Sequence, residues 1–206
     1  MTDVDTPPIV TDITGSIAIV RFNRPVQRNP LSLDTLQELK RTTSGLFSRY
    51  DIQTVIFTGT DDVFASGANI RELAQLDAQA ALEFSKFGQD LFQTIADARQ
   101  LTIAAINGYC MGGGLDLALA CDIRVASKSA VFSHPGARLG IITGWGGTQR
   151  LPGIIGRPRA LEFFVTVRRY PSSAALEIGL ISRVGDPVME CALECARAAE
   201  AVASPS

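Results

Sequence analysis

The chain has 206 residues, 46% of them hydrophobic, with 19 basic side chains against 21 acidic ones. That content suits one globular domain with a substantial core, and the near-neutral balance argues against nucleic acid or an anionic membrane as a partner. No apolar run approaches the roughly 20 residues of a membrane span, no Cys-x-x-Cys pair or other metal site is expected, and Met1 to Asp5 lacks the regions of a signal peptide, so a reducing cytoplasm is the expected compartment.

Ile9 to Asp12, a turn at Gly15 and Ile17 to Phe22 read as a hairpin, which opens the chain with a sheet edge. Asn23-Arg24-Pro25 ends the second strand, and a loop through Gln27 and Arg28 leads to Ser32, which is suited to cap a helix carrying Leu33, Leu36, Leu39 and Leu46. Arg24 and Arg28 are either solvated loop cations or phosphate contacts. Val55 to Thr58 is a buried strand that empties into a small-residue loop, Phe64-Ala65-Ser66-Gly67-Ala68-Asn69-Ile70, where the backbone can approach a ligand closely. Helical spacing covers Leu73 to Leu76 and Ala80 to Ile95, with Phe84, Phe87, Leu91, Phe92 and Ile95 on one stripe.

Leu101 to Ile106 is the next buried strand, and Asn107 to Leu117 follows as a turn, three consecutive glycines (Gly112 to Gly114) and a helix start with Asp116 in its first turn. Two readings stay open here. One is a tight strand-to-helix connection packed through its glycines. The other is an oxyanion site, in which the unpaired amides at the helix N-terminus, Gly113 first, face developing negative charge, with a second donor from the Ala68 amide. Such donors are commonly worth about 3–4 kcal/mol each. The spacing matches neither a Walker loop nor a dinucleotide fingerprint.

Asp122 to Ala126 and Ala130 to Phe132 are two more short strands, and strands alternating with helices indicate an α/β core with parallel pairing. The long glycine-rich loop from His134 to Gly147 holds the chain's single histidine and single tryptophan. Long loops in compact domains are often functional, and His134 is a candidate acid or base because imidazole ordinarily titrates near neutrality. Thr148 to Pro152 closes the loop. Helices are expected from Pro158, from Pro171 to a stop at Gly179, and from Val188 to Val202, with Leu180 to Val184 as a strand.

Taken together, Phe22-Asn23-Arg24-Pro25, Phe64 to Ile70, Asn107 to Leu117, Ala120 to Arg124, Gly147-Thr148-Gln149-Arg150-Leu151-Pro152 and Glu177 to Ile181 resemble the enoyl-CoA hydratase/isomerase (crotonase) superfamily in both order and spacing. The resemblance implies a spiral of ββα units with a crotonase-like core over residues 1–185 and a shortened C-terminal helical segment over 186–206. It implies an acyl-CoA thioester as partner, with no cofactor beyond the coenzyme A of the substrate, and a homotrimer or dimer of trimers. Ala68 and Gly113 match the two amide donors that hold a thioester enolate. Gln27, Arg28, Ser66, Ile70 and Arg71, with Gly112 and Gly136 beside the acyl group, match the substrate-binding positions.

Hydratases of this family use two glutamates. Asp116 stands at the first position, and Gly136, which can carry no proton, stands at the second. Dihydroxynaphthoyl-CoA synthases can also have glycine there, some with bicarbonate as a stand-in base, and share the Gly144-Trp145-Gly146 pattern. Other members place an aspartate where this chain has Gly144. Asp116, His134, Arg138 and Thr143 remain as candidate proton-handling residues near the site. A single carboxylate suffices for an allylic proton shift, so the expectation is double-bond isomerisation or hydration of an enoyl-CoA with Asp116 as base. The alternative is an acyl-CoA-binding homologue without turnover. Gly136→Glu is expected to raise hydration if the pocket is otherwise intact.

Overall fold

The computed structural model describes residues 6–203; the leader reading for Met1 to Asp5 falls outside them. The strands are β1 (Ile9–Thr14), β2 (Ile17–Phe22), β3 (Pro30–Leu31), β4 (Thr54–Thr58), β5 (Val63–Ala65), β6 (Gly67–Ala68), β7 (Leu101–Ile106), β8 (Tyr109–Met111), β9 (Ile123–Ala126), β10 (Val131–Ser133), β11 (Tyr170–Pro171) and β12 (Arg183–Val184). The helices are α1 (Leu33–Phe47), α2 (Ile70–Leu73), α3 (Ala78–Ala96), α4 (Gly113–Ala120), α5 (Gly147–Ile155), α6 (Arg157–Thr166), α7 (Ser172–Glu177) and α8 (Val188–Ala203).

The chain climbs as a spiral. A six-stranded sheet runs β1-β2-β4-β7-β9-β12, and a four-stranded sheet runs β11-β10-β8-β5. Three successive turns each give one strand to the larger sheet and the next to the smaller, through β4 then β5, β7 then β8, and β9 then β10, before entering a helix. The central pairings are parallel and place Val20, Phe57, Ala104 and Arg124 side by side. The β1–β2 hairpin is antiparallel, with Ile9 opposite Phe22, and β1 is the sheet edge expected from the sequence.

Side chains alternate across the larger sheet with the period of two that extended backbone imposes. Val20, Phe22, Val55, Phe57, Ala104 and Ile106 point into the main core. Ile17, Ile56, Ile103 and Ala105 point to the other face, where Val188, Ala192 and Ala196 of α8 cover them. Local signals account for the helix starts. Ser32 caps α1 by accepting from the Thr35 amide at 3.2 Å, and Asp77 caps α3 by accepting from Ala80 at 2.8 Å.

Several elements depart from the sequence reading. The first short helix is Ile70–Leu73 rather than Leu73 to Leu76, because the Asn69 side chain caps it by accepting from the Arg71 amide. The strand before the three glycines does not lead straight into a helix: a turn at Asn107 and Gly108 sends the chain into β8 first. Gly147 to Pro152 is not loop but the start of α5, held by burial of Leu151 and Ile155 despite Pro152. Only Arg183 and Val184 of the expected Leu180 to Val184 strand pair with β9.

Candidate active site

The small strands β3 and β6 set the geometry. They pair in parallel, Pro30 with Gly67 and Leu31 with Ala68, and the Ser66 amide donates to the Arg28 and Asn29 carbonyls at 3.2 and 3.3 Å. The loop bearing Gln27 and Arg28 is thereby tied to the loop bearing Ser66 and Ala68. Asn29 anchors this junction from within: it is buried, accepts from the Arg24 amide at 2.7 Å and donates to the Val63 carbonyl at 2.8 Å. The reading of the sequence missed Asn29; its position between Arg28 and Pro30, in a loop that must turn sharply, was the available signal. Arg24 is not free for phosphate, because it pairs with Asp34 at 2.9 Å. Arg28 stays exposed, its guanidinium 5.2 Å from the Tyr109 ring centroid. Ile70 and Arg71 are exposed just beyond Ala68.

β6 abuts the N-terminus of α4, and small residues permit the approach. A Cβ on Gly67 would lie 2.8 Å from the Gly113 nitrogen, and one on Gly113 would lie 3.5 Å from the Ala68 nitrogen. The two amide-bearing turns therefore meet at the N-terminus of α4, with the Trp145 ring packed into the same corner. Gly112 turns the chain into the helix with φ of 52°, a left-handed value that suits glycine. Beyond Gly113, the residues from Gly114 to Ala120 are buried, so α4 runs through the core and its positive N-terminal end is fixed at the site. The indole of Trp145 lies against this glycine: any side chain at Gly113 would collide with its six-membered ring, and one at Gly88 with its pyrrole edge. Phe84 and Phe92 complete the aromatic wall, with centroids 5.3 and 5.6 Å from Trp145.

Asp116 stands one turn along α4 and is 1% exposed. Thr143 donates its hydroxyl to one carboxylate oxygen. The other oxygen, Oδ1, faces His134 Nε2 at 3.4 Å, near enough for an ion pair but not aligned as a hydrogen bond. Three buried side-chain polar atoms lack a hydrogen-bond partner among the described residues, and these two are among them. Gly147, a residue the sequence reading placed only in a motif, leaves the space that the Asp116 carboxylate fills, since a Cβ there would overlap it. Burial pushes the Cys110 thiol well above its ordinary range, and the neighbouring Asp116 charge adds to the effect.

His134 is 5% exposed and packs edge-on against Phe164, centroids 5.2 Å apart. It lines an apolar cavity of about 210 Å³ with Ala137, Ile141, Ile142, Phe164 and Val165. Asp116 does not line that cavity. Gly136 lies in a short 3-10 helix, Pro135–Leu139, and is buried. A Cβ on it would come 2.7 Å from the Ile141 carbonyl oxygen and 3.6 Å from His134 Nδ1. A glutamate at Gly136 would therefore need the Ile141 main chain to shift, and the polar side chain beside that position is His134. Of the four candidates, the fold unites Asp116, His134 and Thr143 and leaves Arg138 exposed. Gly144 is exposed too, its carbonyl held by Ser85 and Gln89 of α3. Among the described residues no cluster of three or more His, Cys, Asp or Glu could hold a metal, and no helix is long and apolar enough to cross a membrane.

Comparison with known proteins identifies the family to which this fold belongs. The family model for enoyl-CoA hydratase/isomerase matches residues 12–204. A crotonyl-CoA hydratase of Syntrophomonas wolfei is 37% identical over 180 residues, covering 87% of this chain and 69% of that protein. A short-chain-enoyl-CoA hydratase of Clostridium acetobutylicum is 35% identical over the same shares. Among solved structures, the enoyl-CoA hydratase of Bacillus anthracis superposes with a TM-score of 0.88 at 36% identity, covering 92% of this chain and 75% of that one. DspI of Pseudomonas aeruginosa superposes at 0.89 with 34% identity, covering 94% and 74%. A spiral of this topology, matched over most of its length by sequence as well as by shape, makes the chain a member of the enoyl-CoA hydratase/isomerase family and an acyl-CoA enzyme of that family.

Proposed function

We propose that this enzyme isomerises or hydrates the double bond of an enoyl-CoA through a thioester enolate. The Ala68 and Gly113 amides donate to the thioester oxygen as charge develops, and the Asp116 carboxylate serves the proton transfer. The observation that supports this most directly is the meeting of the two amide-bearing turns at the N-terminus of α4, one helical turn from a buried carboxylate. Two donors of this kind lower a barrier by about 3–4 kcal/mol each, and positioned proton transfer contributes about 10²–10⁴-fold. Arg28 and Arg71, both exposed, are the cations for the coenzyme A phosphates, with Gln27, Ser66 and Ile70 as further contacts, while Gly112 and Gly136 flank the acyl group. Self-association as a trimer or dimer of trimers belongs to the same proposal.

The sharpest test offers crotonyl-CoA and a 3-enoyl-CoA to the wild type and to Asp116→Ala, with product analysis and with Trp145, the only tryptophan, as a fluorescent reporter of binding. Turnover of either thioester that collapses in Asp116→Ala supports the reading. A second reading is favoured by Gly136, which supplies no proton: a protein that binds acyl-CoA without turning it over. Fluorescence change with no product, and no loss in Asp116→Ala, would establish that one instead.

A further inference from the structure

We infer that the group touching the reacting carbons is His134, with Asp116 standing behind it as the carboxylate that orients the imidazole. This rests on the acyl-CoA reading above and replaces Asp116 with His134 as the group that moves the proton. Three observations converge on it. Asp116 is 1% exposed, with one oxygen taken by Thr143 and the other turned to His134, and it does not reach the apolar cavity; His134 lines that cavity. Asp116 Oδ1 and His134 Nε2, both buried and both without a hydrogen-bond partner, face each other at 3.4 Å. The second ring nitrogen, Nδ1, lies 3.6 Å from the point where a Cβ on Gly136 would sit, so it borders the space left by the residue that carries no side chain.

This is the arrangement by which a carboxylate selects an imidazole tautomer. Nε2 carries the proton and turns it toward Asp116, and Nδ1 keeps its lone pair for the cavity side. Catalytic hydrogen bonds are commonly long in an unliganded site and tighten when substrate fills it. For a 3-enoyl thioester, Nδ1 takes a proton from C2. The C2–H electron pair forms the enolate, and the charge moves to the thioester oxygen between the Ala68 and Gly113 amides. The resulting imidazolium, opposite the Asp116 carboxylate, then returns the proton to C4. The carbonyl re-forms and the double bond moves from C3–C4 to C2–C3. One proton leaves carbon and one returns, with no oxidant or cofactor consumed. Thr143 and Asp116 are positioning residues in this scheme, and His134 is the catalytic one. The apolar walls from Ile141, Ile142, Phe164 and Val165 fit a hydrocarbon acyl tail rather than a polar or charged one.

The test uses the intact protein. His134→Gln should lower kcat for the 3-enoyl-CoA by about 10²–10⁴-fold while the Trp145 fluorescence response to acyl-CoA persists, and added imidazole should restore part of the rate of His134→Ala. Because the chain has one histidine, ¹⁵N spectra of the unmodified protein read the same point without any variant: the Nε2–H tautomer is expected, with that preference lost in Asp116→Asn. Turnover by His134→Gln close to the wild-type rate, or an Nδ1–H tautomer in the wild type, overturns the inference and leaves the acyl-CoA reading standing. Absence of turnover by the wild type itself would sink both.

Discussion

Adding one methyl group at Gly147 should separate the position of the carboxylate from the integrity of the fold. Gly147 opens α5 with its α-carbon turned to Asp116, and it is not among the glycines with positive φ, so alanine suits its backbone. The added Cβ, however, would overlap Asp116 Oδ1 and lie 3.1 Å from the carboxyl carbon and 3.0 Å from the Thr143 methyl. Neither neighbour is the loose end of a long side chain, since Thr143 binds the carboxylate it would have to leave. The carboxylate must therefore shift by about 1 Å, a displacement that typically costs on the order of 10²-fold in rate when a catalytic group is involved. Overpacking of this kind costs about 1–3 kcal/mol, which for a chain of this size lowers the melting temperature by roughly 2–4 °C per kcal/mol and leaves the domain folded at 25 °C. Steady-state kinetics on an enoyl-CoA should show kcat of Gly147→Ala reduced about a hundredfold, with acyl-CoA binding measured by Trp145 fluorescence little changed. A folded Gly147→Ala protein with wild-type kcat would refute the placement of the chemistry at Asp116 and His134.

Other outcomes follow from the same geometry. Thr143→Val removes a hydroxyl donated to a buried carboxylate; bonds to charged groups are worth about 1.5–3 kcal/mol, so kcat should fall roughly 10–100-fold, and an unchanged rate would show that the carboxylate needs no such anchor. Gly136→Glu should lower thermal stability without raising hydration of crotonyl-CoA, because its Cβ meets the Ile141 carbonyl; a gain in hydration would mean that the loop yields easily. Burial raises the Cys121 thiol from 9.0 to about 12 and also pushes Cys110 up. A group whose proton is held more tightly in the fold contributes full stability below the unfolded value and loses it above, so the melting temperature should decline from about pH 9 toward pH 12 more steeply in the wild type than in Cys110→Ala/Cys121→Ala. Parallel pH profiles for the two proteins would refute that assignment.

Signals confined to a few neighbouring residues were legible from the chain alone. The hairpin around Gly15, the Ser32 cap, the Phe92 stripe and the buried run from Leu101 to Ile106 each depend on spacing or on one local hydrogen bond, and the motif order was sufficient to suggest the family. Two- and three-residue strands such as β6 and β8 have no period long enough to read; they exist because a neighbouring strand satisfies their backbone. The helix α5 was hidden by glycines at its start and Pro152 within it, and is held by packing on α4 and α6 instead of by propensity.

What the sequence by itself determined is the set of chemical groups: two small-residue turns able to present amides, a carboxylate three residues beyond Gly113, one imidazole, and no carboxyl at position 136. Tertiary structure alone decided their order in space. Asp116 and Thr143 are 27 residues apart and meet only because the loop folds back over α4, and the same fold puts His134 between the carboxylate and the apolar cavity. Spacing along a chain encodes which residues share one face of one helix; the distance between side chains of different elements is set by how those elements pack.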